Sequence, residues 1–408
     1  MRTVHERCCG LDVHKKTVVA CVLTSGGRET RTFGTMTHEL LQLASWLEQE
    51  RVSHVAMEST GVYWRPVFNL LEGRAFELLV VNARHVKAVP GRKTDVKDAE
   101  WLAELLRYGL MRASFIPDRA QRELRDLVRY RRTLIQEKAR LITRVQKLLE
   151  GANVKLGDVA SNVMGMSGRA MLKELAAGNT DADQIAQLAL SNLRSKRDRL
   201  AQALAGSVGP HQQFLLGQQI QLIEVIESQL EAIDTEVEAR MRPFQSAIDL
   251  IDEIPGIARH GAEQIIAEIG VDMSRFPTAG HFASWARVCP GTHESAGRRR
   301  NTSTGTGNPW LRSALVEAAL GAVRAGRSHP NFFGARYSRL AGRRGAKRAQ
   351  MAIAHSMLVA IYHMLRDGAH FLDLGPAHWD DHHRESVAQR SVRRLEQLGY
   401  RVTIESAA

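Results

Sequence analysis

Four carboxylates, Asp12, Glu58, Asp95 and Asp98, and one serine, Ser295, are the residue types from which phosphodiester chemistry is built. Asp95 and Asp98 lie in Lys93-Thr94-Asp95-Val96-Lys97-Asp98-Ala99-Glu100, which reads as a helix start with apolar Trp101, Leu102, Leu105 and Leu106 behind it. Residues three apart share a helix face, so both aspartates can aim at one spot. Beside Lys93 and Lys97 they suit a hard cation and a phosphate. Acidic first turns also arise from the helix dipole alone. What separates the two readings is the company of Asp12 and Glu58, each closing a short apolar strand-like run. Metal-assisted phosphodiester cleavage needs anionic ligands for two divalent ions about 4 Å apart. Four carboxylates are the right type and number, and all-oxygen ligation that keeps waters for a phosphate suits Mg²⁺, two ions per centre.

Ser295 lies in Cys289-Pro290-Gly291-Thr292-His293-Glu294-Ser295-Ala296-Gly297-Arg298-Arg299-Arg300, a small-residue stretch that ends in three arginines. A serine there can be a nucleophile whose target phosphate is held by guanidinium groups. A plain phosphate-binding loop is the competing reading. The stretch runs on through Gly305-Thr306-Gly307-Asn308 into a helix containing Leu311 and Arg312. Upstream, Ile254-Pro255-Gly256-Ile257 between helical patterns looks like a helix-hairpin-helix, whose turn offers backbone N–H groups to a DNA phosphate. An ordinary helical hairpin has the same pattern. The candidate nucleic-acid contacts are therefore Lys93, Lys97, Gly256, Arg298, Arg299, Arg300, Asn308 and Arg312.

The elements that must position these residues follow a mixed α/β order at the start of the chain. Strand-like runs over 8–13, 17–24 and 31–34 precede a helix over 37–50, a strand over 54–57, a helix over 62–71 and a strand over 76–81. The order β-β-β-α-β-α-β is that of an RNase H-like fold, in which functional groups gather at strand ends. From about residue 120 the pattern becomes helical. Leu127, Leu134, Leu141 and Leu148 recur every seven residues beside Val128, Ile135, Ile142 and Leu149, with basic residues on the other faces. This predicts a long coiled-coil helix, paired either with the helix over 212–241 or with a second copy. The expected division is a RuvC-like domain over 1–118, a coiled-coil helical region over 119–245, a mostly helical C-terminal domain over 246–370 and a tail over 371–408. In the tail, His378, Asp380, Asp381, His382 and His383 form a dense polar run without metal-ligand spacing, which reads as a solvated linker.

A chain of 408 residues can hold two or three cores, and its formal net charge of +12 points to nucleic acid more than to a small-molecule substrate. Four cysteines form neither a disulfide framework nor a CxxC pair, and Cys9 and Cys21 read as core thiols. There is no apolar signal segment and no apolar run near the roughly 18 residues of a membrane span. A cytoplasmic, nucleoid-associated protein without membrane contact is expected.

The five motifs, taken in order, resemble the DEDD-type transposases of bridge-RNA-guided bacterial insertion sequences. Gly10-Leu11-Asp12-Val13-His14-Lys15, Glu58-Ser59-Thr60-Gly61-Val62-Tyr63-Trp64 and Lys93-Thr94-Asp95-Val96-Lys97-Asp98-Ala99 are similar to that family's three acidic motifs. Glu294-Ser295-Ala296-Gly297 and Gly307-Asn308-Pro309-Trp310-Leu311-Arg312 resemble its transposase-domain signature, with Thr306 where family members carry a basic residue. The resemblance implies a RuvC-like start, a coiled-coil middle and a C-terminal transposase domain. It implies that Ser295 attacks a DNA phosphate to give a 5′-phosphoserine, in a composite site with the carboxylate-bound Mg²⁺; Ser303 is a minor rival to Ser295. It also implies donor and target DNA, a structured guide (bridge) RNA, and a dimer or tetramer in a synaptic complex. Sharing of the site between protomers stays open. Two other readings compete: a RuvC-like endonuclease that cleaves hydrolytically with the carboxylates alone, and a scaffold that binds nucleic acid without chemistry.

Overall fold

The computed structural model describes residues 2–59, 61–82, 98–289, 293–295, 298–301, 304, 307–379 and 384–403. Lys93, Asp95, Lys97, Ser303, Thr306 and residues 380–383 lie outside them. The chain forms two compact units, residues 1–118 and 119–408.

In the first unit, β1 (Cys8–Val13), β2 (Thr17–Thr24), β3 (Gly27–Gly34), β4 (His54–Glu58) and β5 (Glu77–Val81) form one sheet in the order β3-β2-β1-β4-β5. The first three strands are antiparallel neighbours, and β4 and β5 run parallel to β1. Strand side chains alternate between faces. Leu11, Val13, Val55 and Met57 therefore meet the apolar faces of α1 (Thr37–Gln49) and α2 (Trp64–Leu71) on one side. Cys8, Cys21 and Ala56 meet Ala99, Ala103 and Leu106 of α3 (Asp98–Arg107) on the other. Because β1 is covered on both faces, it reads as an apolar run as far as Leu11. Burial pushes the Cys8 thiol up to about 11, as expected of an inert core thiol. The third strand starts at Gly27, four residues before the expected Arg31, because Gly27 takes φ +136° directly after a two-residue turn. Its exposed, charged residues blunt the sheet edge.

The second unit is almost entirely helical. The 33-residue α4 (Arg119–Gly151) packs along the 32-residue α7 (Pro210–Met241) of the same chain. Between them in sequence, α5 (Met166–Ala176), α6 (Arg197–Leu204) and short helical turns close a small core with Leu134, Leu141, Val145 and Leu149. The buried stripe on α4 runs through Leu124, Val128, Leu134, Leu141, Val145 and Leu149, whereas Ile135 is 51% exposed. A straight helix drifts away from a strict seven-residue repeat. The partner also changes along α4, since Leu124 and Val128 belong to a second core. That core gathers α8 (Gln245–Asp252), α9 (Arg259–Ile269), α10 (Ala279–Ala286), α11 (Pro309–Ala325), α12 (Phe332–Arg344) and α13 (Ala346–Asp367). The two-stranded hairpin β6 (His293–Ser295) and β7 (Arg298–Asn301) lies between α10 and α11, and α14 (Arg384–Gln397) follows α13. No helix among the described residues is long and apolar enough to cross a membrane.

Candidate active site

Asp12 is the fifth residue of β1, and its neighbour Leu11 is in register with Met57 of the parallel β4. That register sets Asp12 and Glu58 side by side at the C-terminal ends of adjacent strands. Both share the sheet face of Cys8, Gly10 and Ala56, the face covered by α3. Gly10 decides how closely α3 can approach. A Cβ there would stand 2.2 Å from the Ala99 carbonyl oxygen and 2.5 Å from the Ala103 nitrogen, so only glycine permits the contact. Asp98, the first residue of α3, is carried down to the strand ends by this approach.

Asp98 and Glu58 both lie close enough to Asp12 to act on its charge. The Asp12 carboxyl is raised above the usual 3.8, first by burial and then by the negative charges of Asp98 and Glu58, with His14 opposing the rise. His14 Nε2 stands 3.1 Å from Asp12 Oδ2. The histidine belongs to the same short motif as Asp12, yet its partnership is set by the tight β1–β2 turn, in which its N–H donates to the Thr17 carbonyl. A set of mutually repelling carboxylates is the donor chemistry a hard divalent cation satisfies. Among the described residues, no three His, Cys, Asp or Glu side chains close on a single ion. Asp95, the fourth expected acid, lies outside them.

Ser295 ends β6, and its backbone partner across the hairpin is Arg298 of β7. Glu294 pairs with Arg299, and the ladder is irregular between His293 and Glu294. The expected loop is thus a hairpin with the serine and the first arginine at its turn.

Other candidate contacts have structural duties. Asn308 caps α11: its Oδ1 accepts from the Trp310 and Leu311 N–H groups at 3.0 and 3.2 Å, and its Nδ2 donates to Glu268 at 2.6 Å. The amide thus has a structural duty at the start of α11. Gly256 takes φ +89°, and a Cβ there would lie 2.2 Å from the Ala322 nitrogen. Its lack of a side chain is therefore explained by helix packing against α11, without recourse to a DNA phosphate. Arg312 donates to Thr304 Oγ1 at 2.7 Å, within the segment that joins β7 to α11.

The basic faces expected on α4 are largely turned inward. Arg129 makes two parallel 2.7 Å bonds to Glu268, a side chain only 1% exposed, and Arg131 reaches buried Glu263 at 2.9 Å. Arg125 donates to the Ala267 carbonyl at 3.0 Å, and Arg132 to Gln264 and Ser313. These cations close α4 onto α9 and α11. Sequence counting sees their charge but not their partners.

The chain is thus a mixed α/β sheet with acids at its central strand ends, followed by a mostly helical unit. Residues 9–154 match the family of DEDD transposases of the IS110 type, and residues 248–333 match the transposase IS116/IS110/IS902 family. Together the two matches span more than half of the chain. An uncharacterized protein of insertion element IS110 from Streptomyces coelicolor is 24% identical over 305 residues, 71% of this chain and 74% of that protein. The pilin gene-inverting protein of Moraxella lacunata is 24% identical over 375 residues, 89% of this chain and 96% of its own length. The chain belongs to the IS110-type DEDD transposases: it is a DNA transposase/recombinase of insertion-sequence type, with DNA as substrate, and its family points to dependence on a divalent metal.

Proposed function

We propose that this transposase excises and inserts its element by strand cleavage and rejoining through a covalent bond between Ser295 and DNA. The observation that carries the reading is the influence of Asp98 and Glu58 on Asp12, in a chain whose second half pairs the backbone of Ser295 with that of Arg298 at the start of an arginine run. Asp12, Glu58, Asp95 and Asp98 would hold Mg²⁺, which when bound supplies Lewis-acid stabilisation of charge on the phosphate oxygens. Ser295 Oγ attacks phosphorus as the P–O3′ bond breaks. The serine proton ends on the departing 3′ oxygen, leaving a 5′-phosphoserine and a free 3′-OH. In rejoining, a 3′-OH attacks that phosphorus and Ser295 regains its proton, so no phosphodiester is lost overall and no external energy source is needed. Arg298, Arg299 and Arg300 hold the phosphate by charge, while His14, 3.1 Å from the Asp12 carboxylate, positions it. An element-encoded guide RNA chooses donor and target by base pairing, and the basic surface holds its backbone. A dimer or tetramer brings two DNAs together in the synaptic complex.

The test is covalent trapping. Purified protein is mixed with RNA from the element's own flank, Mg²⁺ and end-labelled donor and target DNA, and a detergent-resistant protein–DNA adduct is sought. The expected result is an adduct in wild type that is lost in Ser295→Ala and in Asp12→Ala. Cleavage that survives Ser295→Ala without an adduct would replace this reading with hydrolytic cleavage by the carboxylates alone.

A further inference from the structure

The second family match ends at residue 333, and beyond it α12 and α14 flank a groove of about 750 Å³. Arg339 of α12 lines it, together with Trp379 and with Arg390, Arg393 and Arg394 of α14. The last three stand at i, i+3 and i+4, on one helix face, and all three are exposed. No described carboxylate pairs with them, and no Asp or Glu is among the described residues lining the groove. They differ in this from Arg125, Arg129 and Arg131 of α4, which are matched to acids and carbonyls. Like charges at this spacing repel, so the free helix carries an electrostatic cost that a polyanion removes.

Trp379 adds the second element of recognition. It is half-buried, stacked on Phe332 at 5.7 Å between ring centroids, with the Arg336 guanidinium 5.1 Å from its own centroid. An aromatic wall beside a run of arginines suits a single strand, whose backbone follows the cations while a base stacks on the ring. A duplex is read by a protruding helix or ribbon that enters its groove, whereas this receptor is concave. We infer that the groove between α12 and α14 binds a single-stranded nucleic-acid segment, with phosphates on Arg390, Arg393 and Arg394 and a base against Trp379. The site goes beyond the cleavage reading and does not require Ser295.

The experiment uses the full chain carrying Ser295→Ala, so that binding is read apart from any covalent step. Anisotropy titrations with labelled single-stranded RNA, single-stranded DNA of the same sequence and duplex DNA are run over a series of salt concentrations. Each phosphate contact contributes about 0.7 to the slope of log K against log salt for a single strand. Replacing Arg390, Arg393 and Arg394 together by alanine is expected to lower that slope by about 2 and to weaken single-strand binding at least tenfold, with duplex binding little changed. Trp379→Ala is expected to weaken binding several-fold without a slope change, and Trp379→Phe to restore it. The charge control is the exposed set Arg194, Lys196 and Arg199 replaced by alanine, which should leave single-strand binding close to wild type. A preference for RNA would identify the strand as RNA, and equal affinities would identify a backbone site. An unchanged slope, an equal loss in the charge control, or an absence of single-strand binding by the parent protein would overturn the inference. Trapping with the Ser295 enzyme tests the cleavage reading independently of all three.

Discussion

Gly10→Ala tests the geometry of the carboxylate site without removing a functional group. The new Cβ would sit 2.2 Å from the Ala99 carbonyl oxygen and 2.5 Å from the Ala103 nitrogen, both backbone atoms of α3. Ordinary carbon contacts lie near 3.5 Å, so α3 must move by about 1 Å. Overpacking of this kind costs about 1–3 kcal/mol, a fall of several degrees in the melting of the first unit. The larger effect falls on chemistry, because Asp98 moves with the helix and away from Asp12. A misplacement of about 1 Å at a catalytic group costs on the order of 100-fold in rate, about 2.7 kcal/mol. The assay is single-turnover strand cleavage, run beside circular-dichroism melting. Gly342→Ala is the control: it lies within α12 and its added Cβ meets nothing within 4 Å. It should stabilise by about 0.5–1 kcal/mol and leave cleavage intact. Cleavage within twofold of wild type in folded Gly10→Ala would refute the claim that this contact places Asp98.

Two predictions concern the helical unit. Arg129→Ala strips buried Glu268 of its two-point partner, leaving Arg125 at 3.7 Å and Asn308 at 2.6 Å. The expected loss is about 3 kcal/mol, at the low end for an orphaned buried charge, and is read from urea unfolding; a loss under about 1 kcal/mol would contradict it. Glu227 is held down to about 2, first by its hydrogen bonds from Arg169 and then by Lys138. A depressed carboxylate stabilises the fold above its unfolded value of 4.5 and loses that contribution as pH falls toward about 2. Melting temperatures of wild type and Glu227→Gln should therefore differ at pH 6 and converge by about pH 2; a constant difference would rule the linkage out.

Much of the carboxylate site was legible from residue types. Short apolar runs ending in Asp12 and Glu58, together with the βββαβαβ order, were enough to place both acids at strand ends, because a strand covered on both faces must be apolar throughout and announces where it stops. The helix over Asp98–Arg107 was readable from the spacing of Trp101, Leu102, Leu105 and Leu106. The basic residues of α4 were a different case. Their spacing revealed that they exist on a helix, but Arg129 and Arg131 find Glu268 and Glu263 more than 130 residues away, and no local pattern encodes such a pairing. Asn308 offered an amide suited to a DNA contact, and only the structure shows that it also caps α11. Gly256 resembled a phosphate-binding turn, although its Cα approaches the backbone of α11.

The sequence by itself determined the number, type and order of the acids, the serine beside its arginines, and the change from mixed sheet to helices, since each depends on neighbours within a turn or a strand. Tertiary structure alone decided that Asp12 feels the charges of Asp98 and Glu58, that His14 and Gly10 stand beside it, and which acids the arginines of α4 meet. Convergence depends on strand register and on the distance between backbones, and partner choice depends on which helices meet. Both are settled only when segments far apart in the chain exclude water together.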